Sequence, residues 1–259
     1  PSPSVWLRNH VGRCGCGVRG PPTLRNAPGL FNLAWLDDLH WDGGINPIEV
    51  QPLAPITSPT EMAEDINNVS GKFQQDADYR RLFKAAFGDE NITTQRMLLA
   101  LTQFVGSMVS ADSKYDKVKR GQAEFTPEQQ QGYTIFKDKC ASCHAEPFFT
   151  DNSYPNTGIP VDPALNDYAR MRITGRSEDS LKFRVPSLRN VYATFPYGHD
   201  GRFYAVANVL EHYVDGVQDG PTVDPLVKNK IPLTNVEQFY LKEFLRTLTD
   251  STFLKNTRL

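Results

Sequence analysis

The sequence predicts a mainly α-helical fold in which helices are joined by long loops. Apolar residues recur at helical spacing in the middle and at the end of the chain, and two stretches carry complete helix-start signatures. Between them, 19 prolines and 18 glycines break the chain into turns. At 259 residues, with 39% hydrophobic and 22% charged side chains, the chain can bury an ample core as one large or two smaller helical domains.

Residues 1–24 hold Pro, Gly and Arg in excess with no helical or alternating period, as expected of an irregular arm. Cys14 and Cys16 are spaced Cys-x-Cys and followed by Gly17, which reads as free or adventitiously paired thiols. From Asn26 to Trp35 turn formers mix with large apolar groups, predicting an ordered loop with Trp35 as a core aromatic. His40-Trp41-Asp42-Gly43-Gly44 is a tryptophan entering a glycine turn. Pro47, Pro52, Pro55 and Pro59 are expected to keep the next stretch out of regular helix until Thr60, where Glu61-Met62 opens a polar and apolar pattern.

Tyr79, Leu82, Phe83, Ala86 and Phe87 predict a core helix stopped by Gly88, and Leu98, Leu101, Val105 and Met108 a longer one from about Thr93. Thr126-Pro127-Glu128-Gln129 is a helix start, with Thr126 as N-cap, Pro127 at the first position and Gln129 closing a capping box. That helix runs directly into Cys140. A loop through Pro147, Pro155, Pro160 and Pro163 follows, then a helix from Ala205 to Val214 closed by Gly216. The last helix opens on a Thr234 and Glu237 capping box, with Val236, Tyr240, Phe244 and Leu248 as its apolar face.

A net charge of −2 gives no basic field to collect phosphates, which argues against a nucleic-acid partner. No apolar run approaches the roughly 18–20 residues of a membrane span. The chain opens at Pro1 without a charged and apolar leader, so it reads as a processed product or a fragment.

The chemistry concentrates at Lys139-Cys140-Ala141-Ser142-Cys143-His144. Two thiols three positions apart can form thioethers to the vinyl groups of a haem, while a histidine directly after the second reaches the iron. The motif therefore specifies haem c, its orientation and its proximal ligand together. A zinc site would need further ligands, and no second Cys-x-x-Cys or spaced histidine pair accompanies it. Covalent haem attachment outside the cytoplasm implies a periplasmic address.

Six motifs occur in a specific order: Arg25-Asn26-Ala27-Pro28, Trp41-Asp42-Gly43, Pro59-Thr60-Glu61-Met62, Cys140 to His144, Pro186-Ser187-Leu188-Arg189-Asn190, and Pro196-Tyr197-Gly198-His199-Asp200-Gly201. From about Asn26 onward the sequence resembles the bacterial di-haem cytochrome c peroxidases and their MauG-like relatives. The resemblance implies cytochrome c-like helical domains with long loops, one and a partial second. Residues 25–120 would be the remnant of the N-terminal, peroxidatic domain and residues 121–259 the C-terminal haem domain, with the C-terminal helix returning to the first. Residues 1–24 do not share the resemblance.

Roles follow from the same resemblance. Trp41 would carry electrons between haems. Gln51 and Glu61 would face the peroxide-reacting haem, Gln51 orienting hydrogen peroxide and Glu61 moving a proton from its inner to its leaving oxygen. On the residues alone, Gln51 is a loop residue and Glu61 a carboxylate at a helix N-terminus. A calcium ion would be held by Asn26 and the backbone carbonyls of Thr194 and Pro196. Arg189, Asn190 and His199 would have a structural or pocket role.

The sixth ligand of the Cys140/Cys143 haem departs from the best-known peroxidases, since no methionine follows Met171. The aligned position falls on Tyr213, and MauG-like relatives use tyrosine. His212 is adjacent, and neighbouring helical residues point about 100° apart, so at most one of the two faces the iron. A five-coordinate haem, or one bound by His199, is the other arrangement.

The peroxide-reacting haem would attach upstream of Asn26, and residues 1–25 contain no Cys-x-x-Cys-His. Either the N-terminal haem region has been lost or the member carries one haem. Three activities follow: a peroxidase reducing hydrogen peroxide with electrons from a small cytochrome c or copper protein, a mono-haem electron carrier, and a MauG-like oxidase of a protein substrate. A homodimer is an assembly the resemblance allows.

Overall fold

Helix starts leave backbone N–H groups unpaired, and short polar side chains at the boundaries capture them. The computed structural model describes residues 23–257, which form eleven α-helices and no strand. The first five are α1 (Leu53–Thr57), α2 (Ile66–Gln75), α3 (Ala77–Phe87), α4 (Thr94–Ser107) and α5 (Lys114–Lys119). Then follow α6 (Pro127–Lys139), α7 (Met171–Thr174), α8 (Val206–Glu211), α9 (Pro225–Lys228), α10 (Asn235–Arg246) and α11 (Ser251–Leu254). Cys14 and Cys16 lie outside the described residues.

The predicted starts of α6 and α10 occur as read, each with a reciprocal capping box, Thr126 with Gln129 and Thr234 with Glu237. Thr93 caps α4, and α3 ends at Gly88 with φ 90°, a left-handed value that glycine adopts without strain. Other expectations are corrected. Proline does not keep residues 47–59 free of helix: α1 passes through Pro55, near its start, where the missing N–H costs least. The helix expected near Glu61 begins instead at Ile66, capped by Asp65, while Glu61 sits in a turn with its N–H on the Ser58 carbonyl. Its carboxylate is therefore not at a helix N-terminus.

Burial also differs from periodicity in places. Tyr79 and Leu82 face solvent and Phe83 carries the core contact of α3; on α4, Met97 is the fully buried residue. The buried face of α10 is Leu241, Phe244 and Leu245, continued by Leu248, while Val236 is exposed. Trp35 is 48% exposed and stacks on Phe148 with ring centroids 5.4 Å apart, so it is not a core residue.

The principal core gathers Phe136, Phe149, Leu241, Phe244, Leu245 and Leu248 around the crossing of α6 and α10. Gly132 makes that crossing close: a Cβ there would lie 2.0 Å from the Tyr240 carbonyl oxygen. A second core joins Leu33, Leu39, Val105 and Met108 to Phe253 of α11, so the end of the described chain packs among its first elements. Between the two cores lies a buried polar knot. Asp250 accepts from Ser110 Oγ and the Asp112 N–H, both at 3.0 Å, and its own N–H donates to Asn190 Oδ1 at 2.7 Å. Asn32 and Ser110 exchange two further bonds.

Candidate haem site

Helix α6 ends at Cys140, whose N–H still reaches the Phe136 carbonyl, and the next turn closes with the His144 N–H on the Cys140 carbonyl at 3.0 Å. Both thiols are free. Burial, helped by the neighbouring Cys143, pushes the Cys140 thiol up to about 12, and burial raises Cys143 as well. Both are held as neutral thiols, and Cys140 packs against the main core.

His144 Nδ1 lies 3.0 Å from the Phe149 carbonyl oxygen. A carbonyl can only accept, so Nδ1 carries the proton and Nε2 keeps its lone pair, the state an iron ligand requires. Burial depresses the His144 pKa, so the ring is neutral at ordinary pH. Phe149 takes φ 57°, an uncommon left-handed value for a bulky residue, where its carbonyl meets the ring.

Helix α8 does not simply continue to Val214. It passes into a π-helical turn over His212–Gly216, a departure from α geometry found often at functional sites. Within it His212 donates from Nε2 to the Thr157 carbonyl at 2.9 Å and is thereby occupied. The Tyr213 hydroxyl is raised by burial and then by Cys140 and Cys143, so it lies within electrostatic reach of both cysteines, while its ring packs against Val217, Val223 and Val227. His199 is elsewhere: its ring stacks on Phe183 with centroids 3.7 Å apart, and burial pushes it down to about 4 against the pull of Asp200 and Asp167.

The remaining predicted residues meet along the seam joining residues 25–46 to the C-terminal part. Asn26 Nδ2 donates to the Pro196 carbonyl at 2.7 Å, and the Asn26 N–H to His199 O at 2.7 Å. Turning the Asn26 amide over would make that pair two oxygen donors, a chemistry that suits calcium. Thr194 is close in sequence but its N–H and hydroxyl both turn to the Val191 carbonyl. Trp41 Nε1 donates to Asn26 O at 2.8 Å, and its own carbonyl accepts from the Arg184 N–H at 2.7 Å. Gln51 ends the short turn Ile48–Val50, and Glu61 lies near enough to His40 for its charge to act there, after burial, which lowers that imidazole, and Asp42, which raises it.

The partners of three arginines near the seam were not legible in the sequence. Arg25 clamps Asp167 through Nε and Nη2 and reaches Asp42 through Nη1. Arg189 forms a buried fork on Asp116 at 2.8 and 2.9 Å. Arg184 is buried with its Nε on the His40 carbonyl. Each lies in or beside a motif, but a charge in a motif does not name a partner 70 or more positions away. Among the described residues no group of three or more His, Cys, Asp or Glu is placed to hold a metal ion.

A family model described as di-haem cytochrome c peroxidase matches residues 7–124, beginning inside the segment read above as an arm. The methylamine utilization protein MauG of Methylophilus methylotrophus is 32% identical over 230 residues, 86% of this chain and 68% of its own. Cytochrome c551 peroxidase of Nitrosomonas europaea is 33% identical over 190 residues, 72% of this chain and 57% of its own. The chain thus spans between 57% and 68% of the length of these relatives. A solved MauG-like protein associated with microbial copper homeostasis superposes with a TM-score of 0.84 at 31% identity, covering 95% of this chain and 81% of that one.

Proposed function

Because this chain belongs to the di-haem cytochrome c peroxidase and MauG family, an enzyme family of peroxidase and oxidase type, we propose that it acts in the reduction of hydrogen peroxide to water. In this reading Cys140 and Cys143 hold the electron-transfer haem and a small cytochrome c or copper protein donates the electrons. The observation that carries the reading is the closed turn from Cys140 to His144, with the His144 ring held through Nδ1 by the Phe149 carbonyl and Tyr213 within electrostatic reach of both cysteines. The residues fit the group: two neutral thiols for thioethers, a neutral histidine protonated on Nδ1, and a buried phenol within electrostatic reach of the thiols.

When bound, the haem supplies one-electron redox chemistry. Phe149 fixes the ring of His144 and Thr157 holds that of His212, so Tyr213 would be the residue of the pair to serve as the second haem ligand. Trp41, tied to Asn26 on one side and Arg184 on the other, would pass electrons across the seam. Glu61 and Gln51 would serve the peroxide, Glu61 by moving its proton. Asn26, Pro196 and Thr194 would hold calcium through oxygen donors.

Tyrosine in place of methionine favours a second reading, a MauG-like oxidase that draws electrons from a protein substrate through Trp41. For either, a periplasmic address follows from covalent haem attachment, and no helix among the described residues is long and apolar enough to cross a membrane.

The test is haem content by intact mass and pyridine haemochrome on protein made with a cytochrome c maturation system. Wild type is expected to carry covalent haem and the Cys140→Ser/Cys143→Ser variant to lose the haem of this site. Tyr213→Phe should keep the haem and change its ferric ligand spectrum. Covalent haem that survives the double substitution undiminished would end the proposal. One haem per chain with no peroxide turnover would leave an electron carrier.

A further inference from the structure

Arg184 is a buried cation with an incomplete set of partners. It is 6% exposed, its Nε donates to the His40 carbonyl at 3.2 Å, and its Nη1 has no hydrogen-bond partner. The other guanidiniums around the seam are matched: Arg25 to Asp42 and Asp167, Arg189 to Asp116, Arg202 to Asp200. The acidic group whose charge reaches Arg184 is Asp38, and Asp38 already accepts from Tyr154 at 3.1 Å. A buried guanidinium without a carboxylate is costly unless an anion completes it.

The segment that carries Arg184 runs beside the loop after His144. The Val185 N–H donates to Ser153 O at 2.9 Å, Thr150 Oγ1 to Val185 O at 2.6 Å and Ser187 Oγ to Phe148 O at 2.6 Å. The backbone of Pro186 lies against the His144 ring. Arg184 is therefore two residues from a contact with the proximal ligand, on a segment pinned at three points.

We propose that Arg184 is the anchor for a propionate carboxylate of the haem joined to Cys140 and Cys143. The inference rests on the reading that these thiols carry haem. A c-type haem tied by its former vinyl groups still bears two propionates, and a carboxylate in this interior needs a planar donor fork. The same arginine holds the carbonyls of His40 and Trp41, so a propionate on Arg184 would connect the cofactor's edge to the backbone of the proposed electron-transfer tryptophan through one side chain.

The experiment is a potentiometric titration of haem-loaded wild type, Arg184→Gln and Arg184→Lys, with haem content measured on each. Removing the cation stabilises the more positive ferric state, so Arg184→Gln should have a lower reduction potential and Arg184→Lys should recover most of the loss. Equal potentials in loaded wild type and Arg184→Gln would overturn the proposal. Should Arg184→Gln fail to load, Arg184→Lys is expected to load with a potential close to that of wild type, and a potential well below wild type although the charge is kept overturns the proposal. A wild-type potential that moves with added chloride or acetate, in a manner abolished by Arg184→Gln, would assign the site to a free anion instead. Wild type without haem would remove the underlying reading itself.

Discussion

Asp116 and Arg189 show how much a single buried pair can set. Burial works against the Asp116 carboxylate, but the Arg189 fork and Ser113 hold its pKa below the ordinary value. A carboxyl depressed in the folded state stabilises the fold above the usual carboxylate range near 4, and that contribution is lost as pH falls through the folded value. Asp116→Asn should therefore cost about 3–5 kcal/mol at neutral pH, the range for breaking a buried pair. Urea melts should show the gap to wild type narrowing below about pH 4; a gap of constant size would show that the residue acts through shape and not charge.

Among the elements, α6 and α10 depend on a missing side chain. Gly132→Ala gains about 1 kcal/mol in helix propensity but drives a methyl into the backbone of α10 at Tyr240, where overpacking costs about 1–3 kcal/mol or more. Backbone cannot rotate aside as a side chain can, so the midpoint of denaturation should fall. Gly71→Ala in α2, where no atom lies within 4 Å of the added Cβ, should raise it by up to about 1 kcal/mol. A rise for Gly132→Ala would refute the close crossing. These elements were legible to different degrees for physical reasons. The boxes of Thr126 with Gln129 and Thr234 with Glu237 are local, satisfied within one turn, and so were visible. So was Cys140 to His144, whose spacing is its chemistry. Trp35, Tyr79 and Val236 were misplaced because burial is decided by what arrives from elsewhere, Phe148 in the case of Trp35. The π turn at Tyr213 and the isolation of Arg184 Nη1 were not legible, since each is defined by the positions of distant groups.

For the whole molecule, the knot at Asp250 ties the two cores into one cooperative body. Asp250→Ala would leave the Ser110 hydroxyl proton and the Asp112 and Phe253 N–H groups without their acceptor, each a penalty of about 1–3 kcal/mol when buried. Loss of most of the stability is expected, with one transition seen by both tryptophan fluorescence and haem absorbance in wild type. Two separated transitions in wild type would show that the cores fold independently.

The close crossing at Gly132 also bears on how the protein is made. The helix that ends at Cys140 is synthesised well before the one that packs across it, and α11, which seals the knot, comes later still. Chains emerge N-terminus first, so there is an interval in which the attachment thiols stand on a helix whose cover has not yet arrived. Assembly order thus becomes a property of the covalent chain: a cofactor joined at Cys140 and Cys143 would meet an open platform, which α10 and α11 close afterwards.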